Sequence, residues 1–340
     1  MIWRLVIAVA FALHPHAAAP QVQESGDISP PPRVPVVLGD SLVSFVSDTQ
    51  SPLFFETLRI PANNNDSARE MIYGRLLADR PNGIFHLGDM VAIGLYMPTW
   101  RSTDRFLNRA SAAHVPVFPT LGNHELIFCP SYGLAQFYDR FPWYRKTGYA
   151  VHVGKLAVVL LNSNFGQLTD EEQKAERSWL DSTLVAFESD TAVGAVILCC
   201  HHPPYTNSTV VSPSKEVRDS FVPLYLRYPK CRLFLSGHCH AFEHFREGGK
   251  DFFVIGGGGG LQQPLLTGTE RRWEDFFPVK SETRMFHYLQ CRIRGSALEL
   301  TVRMIKGDFS GFEDVYTTSL PFVSPIHSHT RRPLQYSQLD

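Results

Sequence analysis

Five apolar runs of strand length, each ending in a side chain able to bind a cation, constrain this chain more than any other feature. Residues 42–47 lead into Asp48-Thr49-Gln50, and 83–87 lead into Gly88-Asp89. Residues 115–118 lead, after Pro119-Thr120-Leu121, into Gly122-Asn123-His124-Glu125. Residues 193–200 lead into His201-His202-Pro203-Pro204, and 232–235 into Ser236-Gly237-His238-Cys239-His240. A short continuous apolar run bounded by turn signals reads as a buried strand. Open sheets form their ligand sites where strands stop and loops begin. The pattern therefore predicts a sheet edge that gathers acids, amides and imidazoles.

Further strand runs lie at 149–153, 156–161, 251–255, 288–294 and 297–305, with Gly154-Lys155 and Gly295-Ser296 as hairpin turns. Helical patterns interleave with the early strands. Ser67 with Glu70 reads as a capping box opening a helix that runs to about Ala78. Thr169 with Glu172 reads as another, opening a helix through Trp179, Leu180, Leu184 and Phe187. Strands and helices alternate early and strands dominate late, which describes an α/β (α+β type) arrangement with an antiparallel finish.

The 340 residues allow one large domain or two. Hydrophobic residues at 44% and charged residues at 19% exclude a mostly disordered chain. A net charge of −1 offers no footprint for nucleic acid or for an anionic membrane surface. At the N-terminus, Arg4, the apolar run 5–13 and Ala17-Ala18-Ala19 read as a signal peptide over 1–19. Nine residues rise about 14 Å as a helix, well short of the ~30 Å hydrocarbon core. The expected organisation is a signal peptide 1–19, a Pro-rich linker 20–41, one catalytic domain 42–320 and a polar tail 321–340. The expected location is periplasmic or secreted, with no membrane span after signal removal. A retained N-terminal anchor is the alternative, because Pro20 directly follows the best cleavage site. The six cysteines match no compact disulfide framework and read mostly as small buried apolar groups, Cys199 and Cys200 facing opposite ways on their strand.

The donor set is informative in itself. Carboxylates, amides and neutral imidazoles suit borderline divalent metals such as Zn, Mn or Fe, and do not suit a soft thiolate site. One ion needs four to six donors, fewer than this chain supplies. Two ions sharing a bridging carboxylate would use them all. Such a pair, about 3.5–4 Å apart, can polarise a phosphoryl group and lower the pKa of water from 15.7 toward ~7.

At these residues the chain resembles the calcineurin-like metallophosphoesterase superfamily, whose pattern is D-x-H, GD, GNH[DE], a strand-end H, and GHxH. The last four motifs stand here in order, at separations of 41, 34, 78 and 37 residues counted from Asp48, and the resemblance covers about 42–305. It implies a four-layer α-β-β-α sandwich, two central mixed sheets flanked by helices, with a dinuclear metal site at the C-terminal ends of strands. It also implies two divalent metal ions (Mn, Fe or Zn) and hydrolysis of small phosphomonoesters or phosphodiesters, nucleotides among them, by a metal-bridging hydroxide. Carried over residue by residue, Asp48 and His240 bind the first metal, Asp89 bridges, and Asn123, His201 and His238 hold the second. His124 sits beside them, donating to the phosphoryl oxygen or protonating the leaving group. His202 is left to a substrate-binding or supporting role.

Gln50 stands where the first motif of the family has His. Its neutral carbonyl is a weaker donor than imidazole, which implies a looser or Mn-selective first site. It also motivates a second reading, a weakly active or non-catalytic binding protein of the same fold; retention of His124 beside the ligand set favours the enzyme. Purple acid phosphatases carry a metal-binding Tyr three residues after the GD aspartate, where this chain has Ala92. The resemblance is therefore to that branch without its purple-enzyme tyrosine. The arginines of the phosphoprotein phosphatase motifs GDxVDRG and RGNHE are also missing. Cys239 is expected to point away from the metals, His244 to be structural, and residues 256–260, all glycine, to let the backbone pack close to the site.

Overall fold

The computed structural model describes residues 41–322. The expected signal peptide, almost all of the expected linker and residues 323–340 of the expected tail lie outside the described residues. Two six-stranded sheets form the centre of the molecule. In the first, β1 (Ser41–Val46), β2 (Gly83–His86) and β3 (Val117–Pro119) run parallel. On the other side of β1 follow β10 (His287–Arg294), β11 (Ala297–Ile305) and β12 (Phe312–Pro321), all antiparallel. In the second, β5 (Leu156–Leu160), β6 (Ala195–Cys199), β7 (Cys231–Ser236) and β9 (Lys250–Ile255) run parallel. The antiparallel strands β4 (Tyr149–Val153) and β8 (Phe242–Glu247) close its two edges.

The sheets pack face to face because their strands are apolar on both sides. Val43, Phe45, Phe85, Leu289 and Leu300 of the first meet Val158, Ile197, Leu233 and Phe253 of the second in one buried cluster. The outer face of the first sheet, through Val46, Ile84 and Tyr288, is covered by α2 (Asn65–Ala78) and α3 (Met97–Ala112), with Ile72, Tyr73 and Phe106 buried there. The outer face of the second, through Val159, Leu198 and Phe234, is covered by α5 (Asp170–Ser189), α6 (Lys215–Ser220) and α7 (Val222–Arg227). This is the expected four-layer α-β-β-α order. Cys199 faces the inter-sheet core and Cys200 the helices, as the alternation of strand side chains requires. None of the six cysteines is bridged, and all but Cys129 are buried. Two further helices, α1 (Phe54–Thr57) and α4 (Pro130–Arg140), follow the β1 and β3 loops. No helix among the described residues is long and apolar enough to cross a membrane.

Local rules account for most of these boundaries. Thr169 Oγ1 accepts from Glu172 N while Glu172 Oε2 accepts from Thr169 N, the capping box expected at the start of α5 and a device worth about 1 kcal/mol. The other expected box is overturned. α2 begins at Asn65, two residues before Ser67, and its N-cap is Asn64. A tertiary contact outweighs the local signal there, for the Asn65 amide donates to both Gly259 O and Gly260 O at 2.9 and 2.8 Å. Both hairpins form at the expected glycines, pairing Val153 with Leu156 and Arg294 with Ala297.

Candidate metal centre

Every expected donor comes to one edge, where the strands of both sheets end. Asp48 and Gln50 follow β1, Asp89 follows β2, Asn123 and His124 follow β3, His201 and His202 follow β6, and His238 and His240 follow β7. Three of them, Asp48, Asp89 and His238, have φ near +60°, a conformation that costs a non-glycine residue about 1–2 kcal/mol. Hydrogen bonds across the loops hold them there. Asp48 N donates to Gly88 O at 3.0 Å and Gln50 N to Asp89 O at 3.1 Å. The Asp48 carboxylate accepts from His238 N at 2.9 Å, and Asp89 Oδ1 from His124 N at 2.8 Å.

Glu125 is the residue that motif reasoning overlooked. Its carboxylate accepts from the backbone N–H groups of Asp89, Met90 and Gly122 at 2.9, 2.6 and 2.8 Å, tying the second and third loops together. Burial, with the charge of Asp89 beside it, pushes this carboxyl up to about 7. Glu125 was visible as the last letter of Gly122-Asn123-His124-Glu125. Only the fold shows that its side chain turns back under the loops.

The donor atoms converge. His201 Nε2 lies 3.0 Å from Asn123 Oδ1 and 3.2 Å from Asp89 Oδ2. His240 Nε2 lies 3.4 Å from Asp48 Oδ1 and 3.3 Å from the Gln50 amide nitrogen. The ring of His238 is 5.0 Å from that of His201 and 4.6 Å from that of His202. Asp48, Asp89 and His201 offer ligand atoms within 4.8 Å of one another, and so do His201, His202 and His238. His124 stands slightly apart, its Nε2 4.0 Å from Asp89 Oδ2.

The imidazoles are oriented in one way. His201 Nδ1 donates to Leu87 O at 2.8 Å, His240 Nδ1 to Leu261 O at 2.7 Å and His124 Nδ1 to Ala92 O at 2.8 Å. A carbonyl can only accept, so each ring carries its proton on Nδ1 and turns Nε2 toward the centre, the arrangement typical of metal-ligating histidines. His202 Nδ1 meets Ser163 Oγ at 2.9 Å, a hydroxyl that can serve as donor or acceptor.

Electrostatics agree with a cation site. Burial opposes ionisation of Asp89, yet His201 and His124 beside it hold the carboxyl well below the usual range. Burial likewise opposes charge on His201, but with no cation present Asp89 outweighs it and raises the imidazole to about 9, so a cation taken up at Nε2 would displace a proton. Burial and the neighbouring imidazoles push His238 well below its ordinary value, and burial with His201 pushes His202 down to about 3. Both keep a free lone pair. Gln50 Oε1 is buried with no hydrogen-bond donor among the described residues, an arrangement that costs about 1–3 kcal/mol unless a cation satisfies it, and Asp89 Oδ2, equally buried, meets only the imidazoles of His201 and His124 at 3.2 and 4.0 Å. The residues therefore fit a pair of divalent ions: Asp48, Gln50 and His240 on one side, Asn123, His201 and His238 on the other, Asp89 between.

The backbone is thinned to make room. A Cβ on Gly122 would lie 2.1 Å from Asp89 Oδ1, and one on Gly260 would lie 2.4 Å from His240 Cε1. Beside the centre, on the His202 side, a cavity of about 390 Å³ opens among Ser163, Asn164, Gln167, Ser212 and Ser214. Cys239 packs instead in the cluster outside the second sheet. His244 bridges Asp251 and Tyr316 at 2.7 and 2.9 Å, a structural link.

The sequence model of the family described as "Calcineurin-like phosphoesterase" matches residues 42–242, more than half the chain. The chain belongs to that family. No curated protein matches it. Solved structures share its fold at low identity. GAP50, the anchor in the inner membrane complex of Plasmodium, is 15% identical with a TM-score of 0.61, over 84% of this chain and 90% of that one. A purple acid phosphatase, PPD1, from yellow lupin seeds is 15% identical with a TM-score of 0.62, over 86% of this chain and 55% of that one. A dimetal phosphatase from Danio rerio is 14% identical with a TM-score of 0.52, over 83% of this chain and 99% of that one. At such identities the likeness speaks for the fold alone.

Proposed function

We propose that this calcineurin-like phosphoesterase is an exported enzyme that hydrolyses small phosphomonoesters or phosphodiesters with two divalent metal ions, Mn, Fe or Zn. The observation that carries the reading is His124, an imidazole aimed at Asp89 without crowding it, retained beside a full set of donors. Two divalent ions held there would neutralise phosphoryl oxygens and supply an activated water at neutral pH. The chain's own residues do the rest. Asp89 and Asn123 fix the floor of the site through Glu125 and His201. His124, with Nδ1 committed to Ala92 O, exchanges a proton only at Nε2, where a phosphoryl oxygen or leaving alcohol would sit. Ala92 occupies the position of the purple-enzyme tyrosine, so the iron-loaded protein is expected to lack the purple phenolate-to-iron charge-transfer band.

The second reading, a fold that binds without turnover, rests on one observation. The Gln50 N–H points at the Nε2 lone pair of His240, the atom a first metal would need. The likeness to GAP50, an anchor, is compatible with it. Metal-stripped protein re-supplied with Mn, Zn or Fe, assayed on paired phosphomonoester and phosphodiester chromogens beside Asn123→Ala, separates the two. Metal-dependent hydrolysis lost in the variant supports the enzyme. Two bound ions without hydrolysis of either ester support the binding protein. Export is tested by N-terminal sequencing of the protein from cell fractions.

A further inference from the structure

His202 joins the cavity to the metal centre. Its imidazole is part of the cavity wall, and its ligand atoms lie within 4.8 Å of those of His201 and His238. An ester whose phosphoryl group meets those donors can extend its organic part past His202 into a space of about 390 Å³. Small-molecule sites run from roughly 300 to 1,000 Å³, so the cavity suits one small ring.

Both walls are fastened to ligand loops. One wall is the segment after β5. Ser163 Oγ accepts from His202 N and meets His202 Nδ1, both at 2.9 Å. Asn164 Nδ2 donates to Leu121 O at 3.1 Å, just ahead of Gly122-Asn123, and to Asn162 Oδ1 at 3.0 Å. The ring of Phe165 packs on that of Phe221, with centroids 5.4 Å apart. The other wall leads into α6, where Ser214 N donates to Pro203 O at 2.7 Å, on the residue that follows His202.

The lining selects the chemistry of the ligand. Among the described residues no lysine or arginine lines the cavity, and Glu216 contributes a carboxylate. A second phosphate would find no cation there and would be repelled. What the walls offer is neutral and polar. Buried Asn164 spends its amide protons on Leu121 and Asn162, which leaves its Oδ1 as an acceptor. The amide of Gln167 and the hydroxyl of Ser212, both on exposed residues, make no hydrogen bond to a described residue. Amides and hydroxyls supply donors and acceptors together, as a ring bearing several hydroxyls requires. Phe165 offers an apolar face to its C–H groups. A quaternary ammonium would call for a cage of several aromatic rings, and this cavity has one.

We propose that the cavity beside His202 is the subsite for the alcohol part of the ester and takes a sugar ring or a comparable neutral polyol. The proposal rests on the phosphoesterase reading and narrows its substrate class to sugar phosphates, away from esters that carry a second phosphate.

The test compares glucose 6-phosphate, glycerol 1-phosphate and propyl phosphate as substrates of the metal-loaded full chain, read by release of inorganic phosphate. One net hydrogen bond corresponds to about fivefold, and two to about 25-fold. The kcat/KM of glucose 6-phosphate should therefore exceed that of propyl phosphate at least tenfold, with glycerol 1-phosphate between them. In the double variant Gln167→Ala, Ser212→Ala, the glucose-to-propyl ratio should fall at least fivefold. Being a ratio, it cancels any change in overall activity, and the unequal reactivity of the two esters cannot explain its fall. A flat series in the parent protein overturns the subsite, as does a sugar preference that survives in the variant. So does faster hydrolysis of phosphocholine than of glucose 6-phosphate, slowed by Glu216→Gln, which would make the cavity a cation site. If the parent hydrolyses no ester, the phosphoesterase reading falls separately. Calorimetry then decides the subsite: glucose 6-phosphate binding at least tenfold tighter than propyl phosphate keeps it, and equal affinity overturns it.

Discussion

Gly122→Ala tests how tightly the centre is built. The added Cβ would sit 2.1 Å from Asp89 Oδ1 and 2.3 Å from Asp89 N, whereas carbon packs comfortably at about 3.5 Å. One loop must yield by about 1 Å. Asp89 cannot move alone, because Oδ1 accepts from His124 N and its backbone N–H is held by Glu125. The displacement therefore reaches the carboxylate that faces His201. A misplacement of that size costs about 100-fold in rate, while overpacking one loop costs about 1–3 kcal/mol of stability. The variant should melt a few degrees lower, hold less than its full metal after equilibrium dialysis, and lose about 100-fold in kcat/KM. Gly307→Ala, where a Cβ meets nothing within 4 Å, is the control and should change none of these. Full metal content and full turnover in Gly122→Ala would refute Asp89 as the shared ligand.

Three further expectations follow from single side chains. His124→Ala should cut turnover by about 10²–10⁴-fold with metal content unchanged; parallel loss of metal on elemental analysis would make His124 a ligand. Gln50→His should tighten the weaker metal site on the order of tenfold, and an unchanged dissociation constant would remove Gln50 from that site. Glu176 is a buried acid whose carboxyl is pushed up to about 8 by burial, its Oε1 accepting from Asn162 N. A raised carboxyl stabilises the fold fully below about pH 4.5 and loses that contribution as pH rises through about 8, on the order of 5 kcal/mol. Glu176→Gln should therefore melt above the parent at pH 9 and close to it at pH 5, and parallel melting curves across that range would contradict the assignment.

The strands that build the site were legible because they are buried on both faces, so each reads as an unbroken apolar run closed by its ligand. The two strands that escaped notice are edges. β12 buries only Leu320 of Phe312–Pro321 and carries no continuous apolar face, and β8 hides within the stretch after His240. Thr169 was a readable cap because both partners of the box are local. The start of α2 was not, because the contact that fixes it joins Asn65 to glycines almost two hundred residues away. The left-handed backbone at Asp48, Asp89 and His238 runs against local preference, so propensity could not announce it; loop-to-loop hydrogen bonds and the carboxylate of Glu125 sustain it. Phe54 and Phe55 look like core residues until the fold leaves them outside.

Anomalous-scattering maps from crystals grown with Mn test the central claim most directly. The account predicts two peaks about 3.5–4 Å apart, one beside Asp48 and His240, the other beside Asn123, His201 and His238, with Asp89 between them. A single peak, or peaks away from these residues, would contradict it.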